Sequence, residues 1–116
     1  MTILYGINNC DTIKKARKWL EEQGIEYTFY NYKKQDVPSE NLTCWLNEFG
    51  WESVLNKRGT TYRTLDEATK VSLDQTSAHQ VLLDNPSMIK RPILTTDDGK
   101  TLIGFKTSEY EDIFKR

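Results

Sequence analysis

The chain predicts an α/β fold in which a strand–helix–strand start and a strand–strand–helix finish enclose a block of helices. Three observations carry this. The run "TILYGI" (Thr2 to Ile7) is short, β-branched and aromatic, and it ends in the turn "NNCD". Ile13, Ala16 and Leu20 then recur at helical spacing, with Trp19 on the flank. Finally, "IEYTFYNY" (Ile25 to Tyr32) alternates apolar and polar residues in the manner of a second strand.

Taken in order, the first helix runs from about Asp11 or Thr12 to Gln23, with Gly24 as its C′ residue. A strand, a helix and a strand this close together make a βαβ unit with parallel strands. "PSENLTCWLNEFG" opens the middle block, beginning with Pro38 and Ser39, a plausible N-cap, and carrying Leu42, Trp45, Leu46 and Phe49 at helical spacing. "WESVLNKRG" reads as a short helix stopping at Gly59, and "TYRTLDEATK" and "DQTSAHQVLLDNP" as two more. "RPILTT", the turn "DDGK" and "TLIGF" then give a hairpin with Asp98-Gly99 at its tip. "SEYEDIF" closes the chain as a helix capped by Ser108. The expected organisation is one domain over residues 1–116, with a helical insert at about 39–86.

Composition narrows the function. The chain of 116 residues is 37% hydrophobic and 28% charged, which suits a folded core rather than disorder. A formal net charge of -1 supplies no basic field for nucleic acid or anionic lipid. No apolar stretch approaches the roughly 18 residues of a membrane span, so the expected location is the cytoplasm. The two cysteines, Cys10 and Cys44, cannot build a disulfide framework.

Cys10 is the chemically loaded residue. It falls where the first strand stops and the first helix starts, facing unpaired backbone N–H groups and the positive end of the helix dipole. Cysteines so placed have pKa values lowered to roughly 3.5–7.5. Lys14, Lys15, Arg17 and Lys18 crowd the first half of this helix, while Glu21 and Glu22 sit near its end. That order opposes the macrodipole, at about 0.3–1 kcal/mol for each misplaced charge. It would raise the positive potential around Cys10, with Asp11 acting in the opposite sense. The bland alternative is a cysteine filling a tight turn beside a solvated face of lysines.

Several thiol chemistries are excluded by spacing. Arg17 stands one residue too far from Cys10 for a cysteine-phosphatase loop, and that loop lacks glycine. The position of a second redox cysteine in a Cys-x-x-Cys motif is Ile13. The sole histidine, His79, lies in "SAHQVLL" and reads as a satisfied helix residue rather than a base. Two cysteines and one histidine furnish no closed zinc site, so no metal is expected. Cys44 falls opposite the apolar stripe of its helix, away from any activating dipole. Two basic clusters, "NKRGTTYR" (with Lys57 and Arg58) and "MIKRP" (with Lys90 and Arg91), suggest an anionic substrate such as an oxyanion or a carboxylate-bearing thiol. Arg91-Pro92 opens a strand, where a cis bond is one of the options.

The segments "YGINNCDTIKKARKWLEE", "GWESVLNKRGTTYRTL", "LLDNPSMIKRPIL" and "IGFKTSEYEDIF" together resemble the arsenate reductase (ArsC)/Spx family, most closely its short, single-cysteine YffB-like branch. The resemblance runs nearly end to end. It implies a thioredoxin-like fold with an inserted helical subdomain, Cys10 as the nucleophile, and Arg91-Pro92 as the cis-proline site beside it. The chain departs from arsenate reductases at Asn56, where they carry an arginine, with Lys57 and Arg58 shifted along. Their last active-site arginine falls at about Lys106, and a lysine cannot reproduce a bidentate arginine fork on an oxyanion.

The resemblance implies a glutathione-dependent thiol oxidoreductase acting through one cysteine, with glutathione as co-substrate and no bound cofactor. Lys57, Arg58, Arg91 and Lys106 are the expected binders of its carboxylates, and the backbone before Pro92 pairs with its peptide. Asn8 and Thr12 offer hydrogen bonds to the sulfur. A glutaredoxin or another protein is a further candidate partner; nucleic acid and membrane are not expected. The alternatives are arsenate reduction proper, and a Spx-like protein-binding regulator without catalysis.

Overall fold

The structure is a computed structural model that describes residues 2–7, 10–32, 34–57 and 60–115. The chain forms two compact units, one built from residues 1–34 and 91–116 and the other from residues 35–90.

In the first unit, β1 (Ile3–Gly6) leads to α1 (Asp11–Glu22) and β2 (Thr28–Asn31). A hairpin of β3 (Ile93–Thr95) and β4 (Thr101–Ile103) follows, and then the last helix, Thr107–Phe114. The sheet order is β2-β1-β3-β4, with β1 parallel to β2 and antiparallel to β3. This mixed sheet with flanking helices is a thioredoxin-like α/β fold.

The pleat sorts the side chains of β1. Leu4, fully buried, joins Ala16 and Leu20 of α1, Leu94 of β3 and Tyr110 of the last helix in one apolar cluster. Gly6 shares that face, and a β-carbon built there would lie 2.2 Å from Ile13 Cδ1. Glycine thus sets how closely α1 lies on the strand. Tyr5 points to the opposite face, where its ring meets Tyr30 at 5.2 Å and stacks on Tyr32 at 6.4 Å.

The expected apolar stripe is the observed one, because Ile13, Ala16 and Leu20 are fully buried. Trp19 meets Tyr110 edge-on at 5.6 Å. The helix ends in a Schellman motif: Ile25 N–H donates to Leu20 O at 3.0 Å and Gly24 N–H to Glu21 O at 3.1 Å. Gly24 takes the left-handed φ of 69° that this motif requires. The last helix begins two residues earlier than expected, with Lys106 rather than Ser108 at the N-cap.

The second unit comprises α2 (Ser39–Phe49), α3 (Trp51–Val54), α4 (Thr60–Arg63), α5 (Glu67–Val71), α6 (Gln75–Asp84) and a 3₁₀ turn at Pro86–Met88; the last helix of the chain, Thr107–Phe114, is α7. Leu42, Trp45, Leu46, Val54, Ala78, Leu82 and Met88 form its interior. Pro38 is the N-cap of α2, and Ser39 is already helical.

Two helices are shorter than their patterns suggest. α3 stops at Val54 because Leu55 pairs with Ile89 in a β-bridge, bracketed by Asn56 N–H to Met88 O (2.7 Å) and Lys90 N–H to Val54 O (2.8 Å). This buries Leu55 and Ile89, while the expected stop at Gly59 falls outside the described residues. The segment expected as one helix over "TYRTLDEATK" is two, because Asp66 starts α5 by accepting from Thr69 N–H. A capping box between Asp74 and Ser77 starts α6. Among the described residues, no helix is long and apolar enough to cross a membrane.

Candidate functional site

Cys10 occupies the N-cap of α1 in an extended conformation (φ -124°, ψ 127°). The strand-to-helix junction places it there, since β1 ends at Gly6 and the helix starts at Asp11. The side chain is part-exposed and closes no conventional cap bond. It meets the open end of the helix more loosely, as a charge facing dipoles.

Burial pushes the thiol pKa up, but opposing contacts outweigh it and the net result is a lowered value. The backbone N–H of Ile13 contributes, then a hydrogen bond from the Arg91 side chain, then the N–H of Thr12, and finally the guanidinium charge. A thiolate is the nucleophilic form of cysteine, and these contacts favour it.

Arg91 reaches the sulfur from two residues ahead of β3, and its bond to Pro92 is cis. Pro92 is buried, and its carbonyl oxygen accepts from Gly104 N–H at 2.8 Å. That bond ties the Arg91 segment to the end of β4. Lys106 follows two residues later, exposed at the N-cap of α7.

The remaining expected residues lie elsewhere. Lys57 belongs to the second unit, where its ammonium approaches Glu52 at 3.9 Å and the Trp51 ring at 5.4 Å. Asn8 and Arg58 lie outside the described residues. The cations of α1 do not act as the charge pattern suggested. Lys14, Lys15 and Lys18 are exposed. Arg17 donates from Nε to Tyr27 Oη at 2.9 Å and lies 4.5 Å over the Phe29 ring. Among the described residues, the positive charge beside the Cys10 sulfur is that of Arg91.

Cys44 is exposed on α2, as its position opposite the apolar stripe suggested. His79 approaches Thr43 Oγ1 at 3.1 Å and Ser39 O at 3.3 Å, so it is the satisfied helix histidine expected. Among the described residues, no group of three or more His, Cys, Asp or Glu side chains could hold a metal ion.

The sequence reading passed over Tyr32. It is 3% exposed, and its hydroxyl has no hydrogen-bond partner among the described residues. Its only sequence signal is the alternation of Tyr30 and Tyr32 at the end of the second strand.

Residues 5–113 match the ArsC family. An uncharacterized protein of Haemophilus influenzae is 49% identical over 114 residues, covering 98% of this chain and 99% of its own. The solved structure of the protein named YFFB (PA3664) superposes with a TM-score of 0.92 at 49% identity, covering 97% of each chain. An arsenate reductase (ArsC) related protein from Brucella melitensis gives a TM-score of 0.75 at 49% identity, over 99% of this chain and 95% of that one. The regulator Spx 2 of Bacillus anthracis is 29% identical over 119 residues, spanning all of this chain (100%) and 88% of its own. With the family match over residues 5–113 and a 49% identical solved structure at a TM-score of 0.92, the chain belongs to the ArsC family, in its YffB-like branch.

Proposed function

We propose that the protein is a glutathione-dependent thiol oxidoreductase in which Cys10 is the nucleophile. The observation that carries this reading is the Cys10 sulfur, held below the usual thiol range by the α1 N–H groups and Arg91. In the reaction, the Cys10 thiolate attacks one sulfur of a substrate disulfide. The S–S bond breaks, the leaving sulfur departs as a thiolate and takes up a proton, and Cys10 is left in a mixed disulfide. With a glutathionylated substrate, the substrate thiolate leaves first and Cys10 retains the glutathione; a second glutathione thiolate then attacks that glutathione sulfur, forming glutathione disulfide and expelling Cys10 as its thiolate. Glutathione is thus the reductant, and a resolving cysteine is not needed. Ile13, fully buried against Gly6, occupies the place where a neighbouring one would stand.

Arg91 stabilises the attacking sulfur and offers a fork for a glutathione carboxylate. Thr12 contributes its backbone N–H to the sulfur. Lys106, exposed at the start of α7, is a second carboxylate partner in this reading, and Asn8, Lys57 and Arg58 retain the binding roles assigned from sequence. Reduction of a glutathionylated peptide tests the proposal. The Cys44→Ser protein is expected to turn over and to show a glutathione adduct on Cys10 by mass spectrometry. Unchanged turnover by Cys10→Ser would overturn it.

A second reading draws on the likeness to Spx 2, a protein named as a global transcriptional regulator. In that reading the chain docks on a protein partner and Cys10 has no turnover. Docking that survives Cys10→Ser, with no peptide reduction by the parent, would favour it.

A further inference from the structure

The cations of α1 stand in the half of the helix where its dipole disfavours them, with Glu21 and Glu22 in the last turns. A charge order that costs helix stability and leaves the sulfur to Arg91 points to a partner outside the fold. Several of these residues share a face with Cys10. At about 100° per residue, positions 10, 14, 17, 18 and 21 make one row along α1. Lys14 lies one turn from Cys10, its N–H donating to Cys10 O at 3.0 Å. A shallow groove of about 530 Å³ is lined by Lys14, Arg17, Lys18, Glu21 and Glu22. Tyr27 fixes its middle: Arg17 Nε donates to Tyr27 Oη at 2.9 Å, and Tyr27 Oη donates to Glu21 Oε2 at 3.2 Å. Arg17 and Glu21 are thus joined through one hydroxyl and offset each other. Lys14 and Lys18 remain at the Cys10 end and Glu22 at the far end, all three exposed and in no ion pair among the described residues.

We infer that this groove docks an extended peptide segment of a substrate protein, one with acidic residues close to its reactive cysteine and a basic residue farther along. The inference deepens the thiol-exchange reading and rests on it for the attack by Cys10. Helix rise sets Lys14, Lys18 and Glu22 about 6, 12 and 18 Å from Cys10 along the axis. An extended peptide covers about 3.3 Å per residue, so its matching charges fall about two, four and six residues from its cysteine. Such exposed pairs select and steer the substrate and leave the chemical step alone.

The test compares peptides symmetric about one glutathionylated cysteine, which makes chain direction immaterial, with the Cys44→Ser protein as parent. The first peptide carries glutamate two and four residues from the cysteine and lysine six away. The second reverses every charge, and the third keeps the composition of the first but sets lysine innermost. KM for the first should lie about tenfold below that for the second at low salt, with kcat in common, and the gap should close at about 0.5 M salt. Lys14→Glu combined with Lys18→Glu should reverse that preference, which a mere loss of Cys10 reactivity would not do. Equal KM values for the first and third peptides would overturn the inference by leaving net charge alone as the cause, and so would a preference that the double variant does not reverse. The parent's turnover of the mixed disulfide of glutathione and β-mercaptoethanol checks the underlying reading, and its absence would overturn thiol exchange. Docking has a readout free of chemistry: in Cys10→Ser, titration with the unmodified first peptide should shift the backbone amide resonances of Lys14, Lys18 and Glu22. Unmoved α1 resonances would overturn docking whatever the turnover.

Discussion

Ile13 Cδ1 sits 2.2 Å from where the β-carbon of any other residue at Gly6 would be. The side chain that anchors the first turn of α1 thus fills the space a methyl group on β1 would need. Gly6→Ala is expected to destabilise the protein by about 1–3 kcal/mol through overpacking. Ile13→Val removes the offending methyl, so the double variant should lose less than the two single changes added together. Urea unfolding midpoints for the four proteins check this.

Cys10 gives a pH signature in stability. Its folded-state pKa lies below that of the unfolded thiol, about 8.5. A group depressed in this way adds stability above the unfolded pKa and loses it as pH falls through the folded pKa. The stability gap between the parent and Cys10→Ala should therefore widen from about pH 6 to about pH 9 and then level off. Paired urea titrations at the two pH values measure it; a constant gap would contradict the lowered pKa.

Tyr110 is fully buried and its hydroxyl lacks a partner among the described residues. Burial raises its pKa, with Glu109 adding to the rise. Its ring contacts to Phe105 at 4.7 Å and Trp19 at 5.6 Å survive in phenylalanine. Tyr110→Phe is expected to leave the Tm unchanged or to raise it, by up to about 1 kcal/mol in stability.

Asp74 starts α6 by accepting from Ser77 N–H, and that bond holds its carboxyl below the usual range. The cap is fully effective above the unfolded carboxylate pKa of about 3.9 and fades as pH falls through the lower folded value. Asp74→Asn keeps an acceptor and should flatten the acid limb of the unfolding profile. Asp74→Ala should lower stability at neutral pH as well.

Local periodicity made much of this legible. Ile13, Ala16 and Leu20 declared the buried face of α1, and the strand–turn–helix junction singled out Cys10 before any coordinates. What could not be read depends on partners far along the chain. α3 stops at Val54 because Leu55 has a bridge partner at Ile89, which no local pattern announces. Arg17 looked like a contributor to the Cys10 field, but Tyr27 and Phe29, beyond the end of its helix, claim it.

The sheet that carries Cys10 is assembled from two stretches of chain, residues 1–34 and 91–116, with a complete unit spliced between them. During synthesis, β1 and β2 can pair as soon as they emerge, but β3 pairs only after the intervening unit has been made. Until then the sulfur has its helix end and lacks Arg91. A nascent chain halted before residue 91 should thus carry a less activated thiol, and the full reactivity of the sulfur should arrive only with the finished protein.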